Sequence, residues 1–190
     1  CLDYDADAFV NSVDELLYAI HPALTECSHI IQYSARAGFD KKTALRCHVF
    51  FWLDKPVSPE LLKQWVLDKN FRVPELRGQL KLTANSMALS YPLDQTVNQN
   101  DKLIFISPPI IENGGADPIK NRITYIPRKN KSLSLTYPQT PEIVNEEKNK
   151  VITELRGVMG LPKRKPTTKI ISGEEICTNP GQVMVTGQKK

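Results

Sequence analysis

The run Arg46-Cys47-His48-Val49-Phe50-Phe51-Trp52-Leu53-Asp54-Lys55-Pro56 leaves the chain little choice but a β-strand through its core. The centre of the run is β-branched or aromatic and too short for a helix, and Pro56 ends it because proline has no N–H to give a sheet ladder. Strand alternation then places Arg46, His48, Phe50 and Trp52 on one face and Cys47, Val49 and Phe51 on the other. One apolar ribbon therefore delivers an arginine and a histidine together at its polar end.

A chain of 190 residues, 41% hydrophobic and 24% charged, has the composition of an ordinary soluble globular protein with one core and room for a small appendage. The net charge of +4 is unevenly spread, with basic runs at 120–131 and 163–169 and with Asp3, Asp5, Asp7, Asp14 and Glu15 crowded at the start. An acidic focus between basic flanks suits a polyanion held near metal ions; plain solvated charge is the alternative. Cys1, Cys27, Cys47 and Cys177 lack the paired short spacing of a zinc ribbon and read as reduced thiols of a cytoplasmic protein. No apolar run is long enough to span a bilayer and no signal peptide is visible, so no membrane partner is expected. The start at Cys1 without a methionine reads as a fragment whose first strands lie outside this sequence.

Leu2-Asp3-Tyr4-Asp5 reads as a strand end whose two carboxylates share a face. Such a pair repels unless a cation sits between them, and oxygen-only ligands favour magnesium or manganese. An acidic loop before a helix is the alternative, and Asp5 with Asp7 offers the same spacing in another register. Ser12-Val13-Asp14-Glu15 is a capping box that opens a helix with Val13, Leu16, Leu17 and Ile20 at helical spacing. His21, at the end of that helix before Pro22, reads as structural. A strand is predicted over 30–33, opening into Ser34-Ala35-Arg36-Ala37-Gly38, a small-residue loop whose hydroxyl and guanidinium suit a phosphate.

Ser58-Pro59 starts a second helix with Leu61, Leu62, Trp65 and Val66 as its buried stripe. Residues 71–91 show no clear period, and Tyr91-Pro92-Leu93-Asp94 then sets a third carboxylate behind an apolar residue. Further strands are predicted at 103–106, 123–126 and 133–136, the last two as a hairpin around Arg128-Lys129-Asn130-Lys131. A helix follows at 141–156, and beyond Gly160 the proline, lysine, threonine and glycine content reads as a linker. The expected organisation is a core over 1–140, a helical extension over 141–160 and a basic linker or tail over 161–190.

Taken together, the Asp3-Tyr4-Asp5 strand, the Ser34 and Arg36 loop, the strand His48-Val49-Phe50-Phe51-Trp52-Leu53-Asp54-Lys55-Pro56-Val57 and the later Leu93-Asp94 resemble the archaeo-eukaryotic primase superfamily. The likeness is greatest to primase and primase-polymerase domains of phages, plasmids and other mobile elements, and Ser107-Pro108-Pro109-Ile110 with Gly115-Ala116-Asp117-Pro118 extends it over roughly residues 1–128. The resemblance implies an α+β fold, a modified RNA-recognition-type sheet packed with helices. It also implies nucleotidyl transfer on a single-stranded DNA template, with nucleoside triphosphates as substrates and a helicase in the same or a neighbouring polypeptide. Its motifs fall on Asp3 and Asp5, on His48 and on Asp94. Arg46 stands two residues before His48, where the family has a small or polar residue, usually serine, which leaves open whether Ser34 supplies that hydroxyl.

On that reading Asp3, Asp5 and Asp94 hold Mg2+ or Mn2+, which neutralises a departing pyrophosphate and helps a 3′-hydroxyl lose its proton. His48 and Arg36, assisted by Ser34 and Arg46, are expected to grip the triphosphate. Lys120, Arg122, Arg128, Lys129 and Lys131 are expected to follow the template backbone. Two other classes remain open: a nucleic-acid-binding replication module that makes no primers, and a metal-dependent nuclease or nicking initiator. A nicking enzyme normally pairs two histidines on one strand, and His48 has no such partner.

Overall fold

The computed structural model of the chain describes residues 1–6, 12–39, 45–112, 115–137, 142–162, 167–171, 174–179 and 182–185. In chain order the elements are β1 (Leu2–Ala6), α1 (Val13–Ile20), a short 3-10 turn (Pro22–Leu24), β2 (His29–Tyr33), β3 (Leu45–Phe51), α2 (Pro59–Arg72) and α3 (Pro74–Arg77). Then follow β4 (Lys81–Leu82), β5 (Leu89–Ser90), β6 (Ile123–Ile126), α4 (Glu142–Val158), β7 (Thr167–Ile171), β8 (Glu174–Asn179) and β9 (Gln182–Val185). The class is mixed α+β. The chain divides into two units, Cys1–Leu80 with Tyr91–Gln139, and Lys81–Ser90 with Thr140–Lys190.

The first unit is built on a four-stranded antiparallel sheet in the order β1-β3-β2-β6. The strand around His48 runs through the middle of it, as its aromatic and β-branched content requires. One face of the sheet carries Leu2, Tyr4, Cys47, Val49 and Ile31, all buried against α1 and α2 residues in a single apolar cluster. Ser12 caps α1 by accepting from the Glu15 N–H at 3.2 Å, and Val13, Leu16, Leu17 and Ile20 form its buried stripe. Ser58 caps α2 in the same way, with Pro59 in the first turn. The buried set on α2 is Trp65, Val66, Asn70 and Phe71, whereas Leu61 is exposed, so the helix turns its stripe further towards its C-terminus than the sequence suggests.

Three expectations are corrected. Residues 103–106 form no strand; they have no ladder and are tied to the sheet through the Phe105 carbonyl, which accepts from Gln32 Nε2 at 3.0 Å. Residues 123–126 and 133–136 do not pair as a hairpin. β6 pairs with β2, and Leu133 instead makes an isolated parallel bridge to Leu53. Beyond residue 166, where a linker is expected, β7, β8 and β9 form an antiparallel three-stranded meander. Asp7, the alternative partner for Asp5, lies outside the described residues.

In the second unit β4 and β5 form a short hairpin, and α4 packs on it, burying Leu89, Val151 and Ile152. Arg156 near the end of α4 donates to the carbonyl of Ser86 in the hairpin turn at 2.5 Å. No described helix is long and apolar enough to cross a membrane.

Candidate active site

Sheet register assembles the site. Asp3 lies opposite His48, His48 opposite Gln32, and Gln32 opposite Ile123, one residue from each of the four strands. Beyond β1 the row continues into the loop at 91–94. Asp94 N–H donates to the Asp3 carbonyl at 2.9 Å and Asp5 N–H to the Pro92 carbonyl at 3.1 Å, around a Tyr4–Leu93 bridge. Cross-strand partners project from the same face of an antiparallel pair, so Asp94, Asp3, His48 and Gln32 form a single polar row on the face away from the core. A second row beside it holds Asp5 opposite Arg46, and the Ser34 N–H donates to the Arg46 carbonyl at 3.1 Å, which brings Ser34 alongside.

The side chains in these rows are linked. His48 Nε2 is 3.4 Å from Asp3 Oδ2 and its Nδ1 is 3.2 Å from Gln32 Oε1. Gln32 thus holds the imidazole from behind while its own amide nitrogen donates to Phe105. Arg46 Nε is 3.2 Å from Asp5 Oδ1, the more exposed of the two carboxylates on β1. Asp94 Oδ1 accepts from both the N–H and the hydroxyl of Thr96 at 2.7 Å, and Lys102 Nζ lies 3.5 Å from its other oxygen. Burial would raise the Asp94 carboxyl, but the two Thr96 bonds and the Lys102 charge outweigh it and hold the group below its ordinary value. On the opposite face Cys47 is inert, its thiol pushed up to about 12 by burial and by the nearby Asp3 carboxylate.

Asn70 positions the third carboxylate. Fully buried on α2, it donates to the Leu93 carbonyl at 2.9 Å and accepts from the Leu93 N–H at 3.1 Å, standing in for a neighbouring strand. Both hydrogen-bonding groups of Leu93 that point away from β1 are satisfied by that one amide. Sequence reasoning missed Asn70, Gln32, Thr96 and Lys102. The Asp94-Gln95-Thr96 spacing is an Asx-turn signal, and Gln32 sits at strand alternation with Ser34; the roles of Asn70 and Lys102 depend on contacts far along the chain.

Of the remaining predicted residues, Arg36 is exposed in the 35–39 turn, and Ser34 offers its carbonyl to Arg122. Arg122 itself is only 9% exposed. Its guanidinium grips Asp117 through two bonds of 2.6 and 2.7 Å and donates to the carbonyls of Ser34 and Ala37, so it clamps this loop and is not available to a template. Gly38 closes the turn with φ +83°, and a Cβ there would meet the Pro118 ring at 2.9 Å. Arg128 pairs with Asp14 at 2.6 Å. Lys120, Lys129 and Lys131 are exposed and make no ion pair among the described residues.

Asp3 and Asp94 are adjacent hard-oxygen donors, a chemistry that fits Mg2+ or Mn2+. Among the described residues, however, no three His, Cys, Asp or Glu side chains converge on one point, so an ion here would draw its other ligands from water or a bound phosphate. Asp3, Asp5 and Asp94 each face a protein partner, His48, Arg46 and Lys102 respectively. Compared with known proteins, the chain matches no family model, no curated protein and no solved structure.

Proposed function

We propose that this chain is the catalytic core of a DNA primase or primase-polymerase of a mobile-element replication system, adding nucleotides on single-stranded DNA. The observation that supports this most is the row Asp94–Asp3–His48–Gln32, which gathers residues from distant parts of the sequence onto one open sheet face. Asp94, Asp3 and His48 are positions on which the primase-like motifs fall, and the antiparallel sheet with helices on one side agrees with the fold the resemblance implies.

In this reading Asp3 and Asp94 would hold the divalent ion, with Asp5 beside them. The bound ion supplies charge neutralisation of the triphosphate and acidifies the attacking hydroxyl. His48, anchored by Gln32, would contact the triphosphate and help hold the α-phosphorus in line with the hydroxyl. Arg46 and the exposed Arg36 contribute positive charge, and Ser34, just past the end of β2 and beside Arg46, would lend the hydroxyl that position 46 lacks. The leaving pyrophosphate departs on the side of these cations.

One observation favours a second reading. Asp3, Asp5 and Asp94 each already face a protein cation or a histidine, an arrangement that a binding module lacking catalysis would also show. Incubation with single-stranded DNA, nucleoside triphosphates and Mg2+ or Mn2+ separates the possibilities. Extended products support the polymerase, cleaved DNA a nuclease, and bound but unaltered DNA the module.

A further inference from the structure

The open face of the sheet does not end at the polar row. In the next row Phe50 lies opposite Ile30 and Ile30 opposite Tyr125, and Ile123 borders both rows. These are apolar or aromatic side chains on the face away from the core, yet Ile30 is 40%, Ile123 54% and Tyr125 60% exposed. A sheet face meeting only water normally carries polar residues at such positions. The 103–106 segment touches this face at Gln32, in the polar row, while in the neighbouring row Ile30 and Tyr125 are exposed and Phe50 is half-buried. Charge frames the row. β6 is an edge strand, Lys120 precedes it, and Lys129 and Lys131 follow it, all exposed and without ion pairs among the described residues.

We propose that the Phe50–Ile30–Tyr125 row is a stacking platform for the bases of single-stranded DNA, whose phosphates follow the β6 edge past Lys120, Lys129 and Lys131. A single strand offers what this surface lacks, flat apolar faces on one side and regularly spaced negative charge on the other. The Phe50 ring lies 6.2 Å from the His48 ring, so a base seated on Phe50 adjoins the residue assigned to the triphosphate. The proposal rests on the polymerase reading only for the identity of the strand as DNA.

The test uses fluorescence anisotropy with a labelled thymidine dodecamer, an abasic dodecamer of equal phosphate count and a uridine ribo-dodecamer. Tyr125→Ala is expected to weaken binding of the thymidine strand on the order of tenfold, the usual effect of losing one stacking partner, and to leave the abasic strand unaffected. Tyr125→Phe should bind like the parent. Ile30→Thr, a strand-compatible change on a partly exposed site, serves as the second variant and should act in the same direction. Unchanged binding of the thymidine strand by Tyr125→Ala and Ile30→Thr, equal losses on both DNA strands, or no DNA binding by the parent would overturn the platform. Tighter binding of the ribo-oligomer would overturn its assignment to DNA. Base-dependent binding in a protein that adds no nucleotide sinks the polymerase reading alone. Nucleotide addition by a protein whose Tyr125→Ala variant binds like the parent sinks the platform alone.

Discussion

Asp94 is held in one orientation by Thr96, which donates to it from backbone and hydroxyl together, so its free oxygen points where Lys102 now lies. Asp3→Asn and Asp94→Asn keep the shapes and many of the hydrogen bonds while removing the charge. Each should lower nucleotide addition at least about a hundredfold, the scale set by losing an electrostatic contribution of several kcal/mol; thermal unfolding should change little for Asp3→Asn, whereas Asp94→Asn should also lose some stability at neutral pH, because the fold holds that carboxyl below its ordinary value. Addition at the parental rate in both variants would refute the metal-holding role. Asp117 gives a pH-dependent counterpart away from the chemistry. The Arg122 hydrogen bonds hold its carboxyl below the ordinary value, against opposing desolvation, with help from the Ile119 N–H. A depressed folded-state value means that the charged form is bound more tightly in the fold. That stabilisation is complete above the ordinary carboxylate value and disappears as pH falls through the folded one. Asp117→Asn should therefore be less stable than the parent at neutral pH, with the gap closing in acid. Urea midpoints measured across that range check it, and a gap that persists at low pH would contradict the charge assignment.

Among the elements, those with strong local signals were legible in advance. The β3 strand follows from its aromatic run, α1 from its capping box, α2 from Ser58-Pro59, and β2 and α4 from short apolar patterns. Strand alternation alone put Asp3 with Asp5 and His48 with Arg46. What it did not contain was which strand lies beside which, because pairing partners are chosen by tertiary packing between distant segments. Hence residues 103–106, β-prone in composition, found no ladder, while 133–136 lost β6 to β2. The final meander was hidden for another reason. Three short runs that carry isoleucine, valine or threonine are separated by Ser172-Gly173 and Pro180-Gly181, but the surrounding lysine and proline content outweighed them. Asn70 joins α2 to the Leu93-Asp94 stretch through contacts 23 residues apart. Asn70→Ala leaves two buried backbone groups of Leu93 without partners, at roughly 1–3 kcal/mol each, so chemical denaturation should show a loss of about 3 kcal/mol. A loss below about 1 kcal/mol would mean that water replaces the amide and that the clamp is not needed.

At the scale of the whole molecule, charge and connectivity each make a demand. Among the described residues Lys120, Lys129 and Lys131 make no ion pair at the two ends of one edge strand, whereas Arg122 and Arg128 are already engaged. Changing the three lysines to glutamine should weaken single-stranded DNA binding for every sequence tested. It should also flatten the salt dependence by about 2 in logarithmic slope, at roughly 0.7 per phosphate contact. The same slope in the triple variant would return these lysines to ordinary solvated surface. Arg122→Gln, by contrast, should act through the stability of the 34–38 loop.

The second unit takes its hairpin from 81–90 and its helix and meander from beyond residue 140, so the chain enters it, leaves it and enters it again. Severing the backbone once therefore does not separate the units into independent pieces. A protein cut at an engineered protease site within 138–141 should yield two fragments that elute together, because the first retains the β4–β5 hairpin on which α4 of the second is packed. A gene truncated at residue 139 would strand that hairpin with Leu89 bared to solvent. Fragments that part on native size-exclusion chromatography would show that α4 does not grip the hairpin. If they remain together, any genetic dissection of this polypeptide has to follow its threading rather than a single boundary drawn along the sequence.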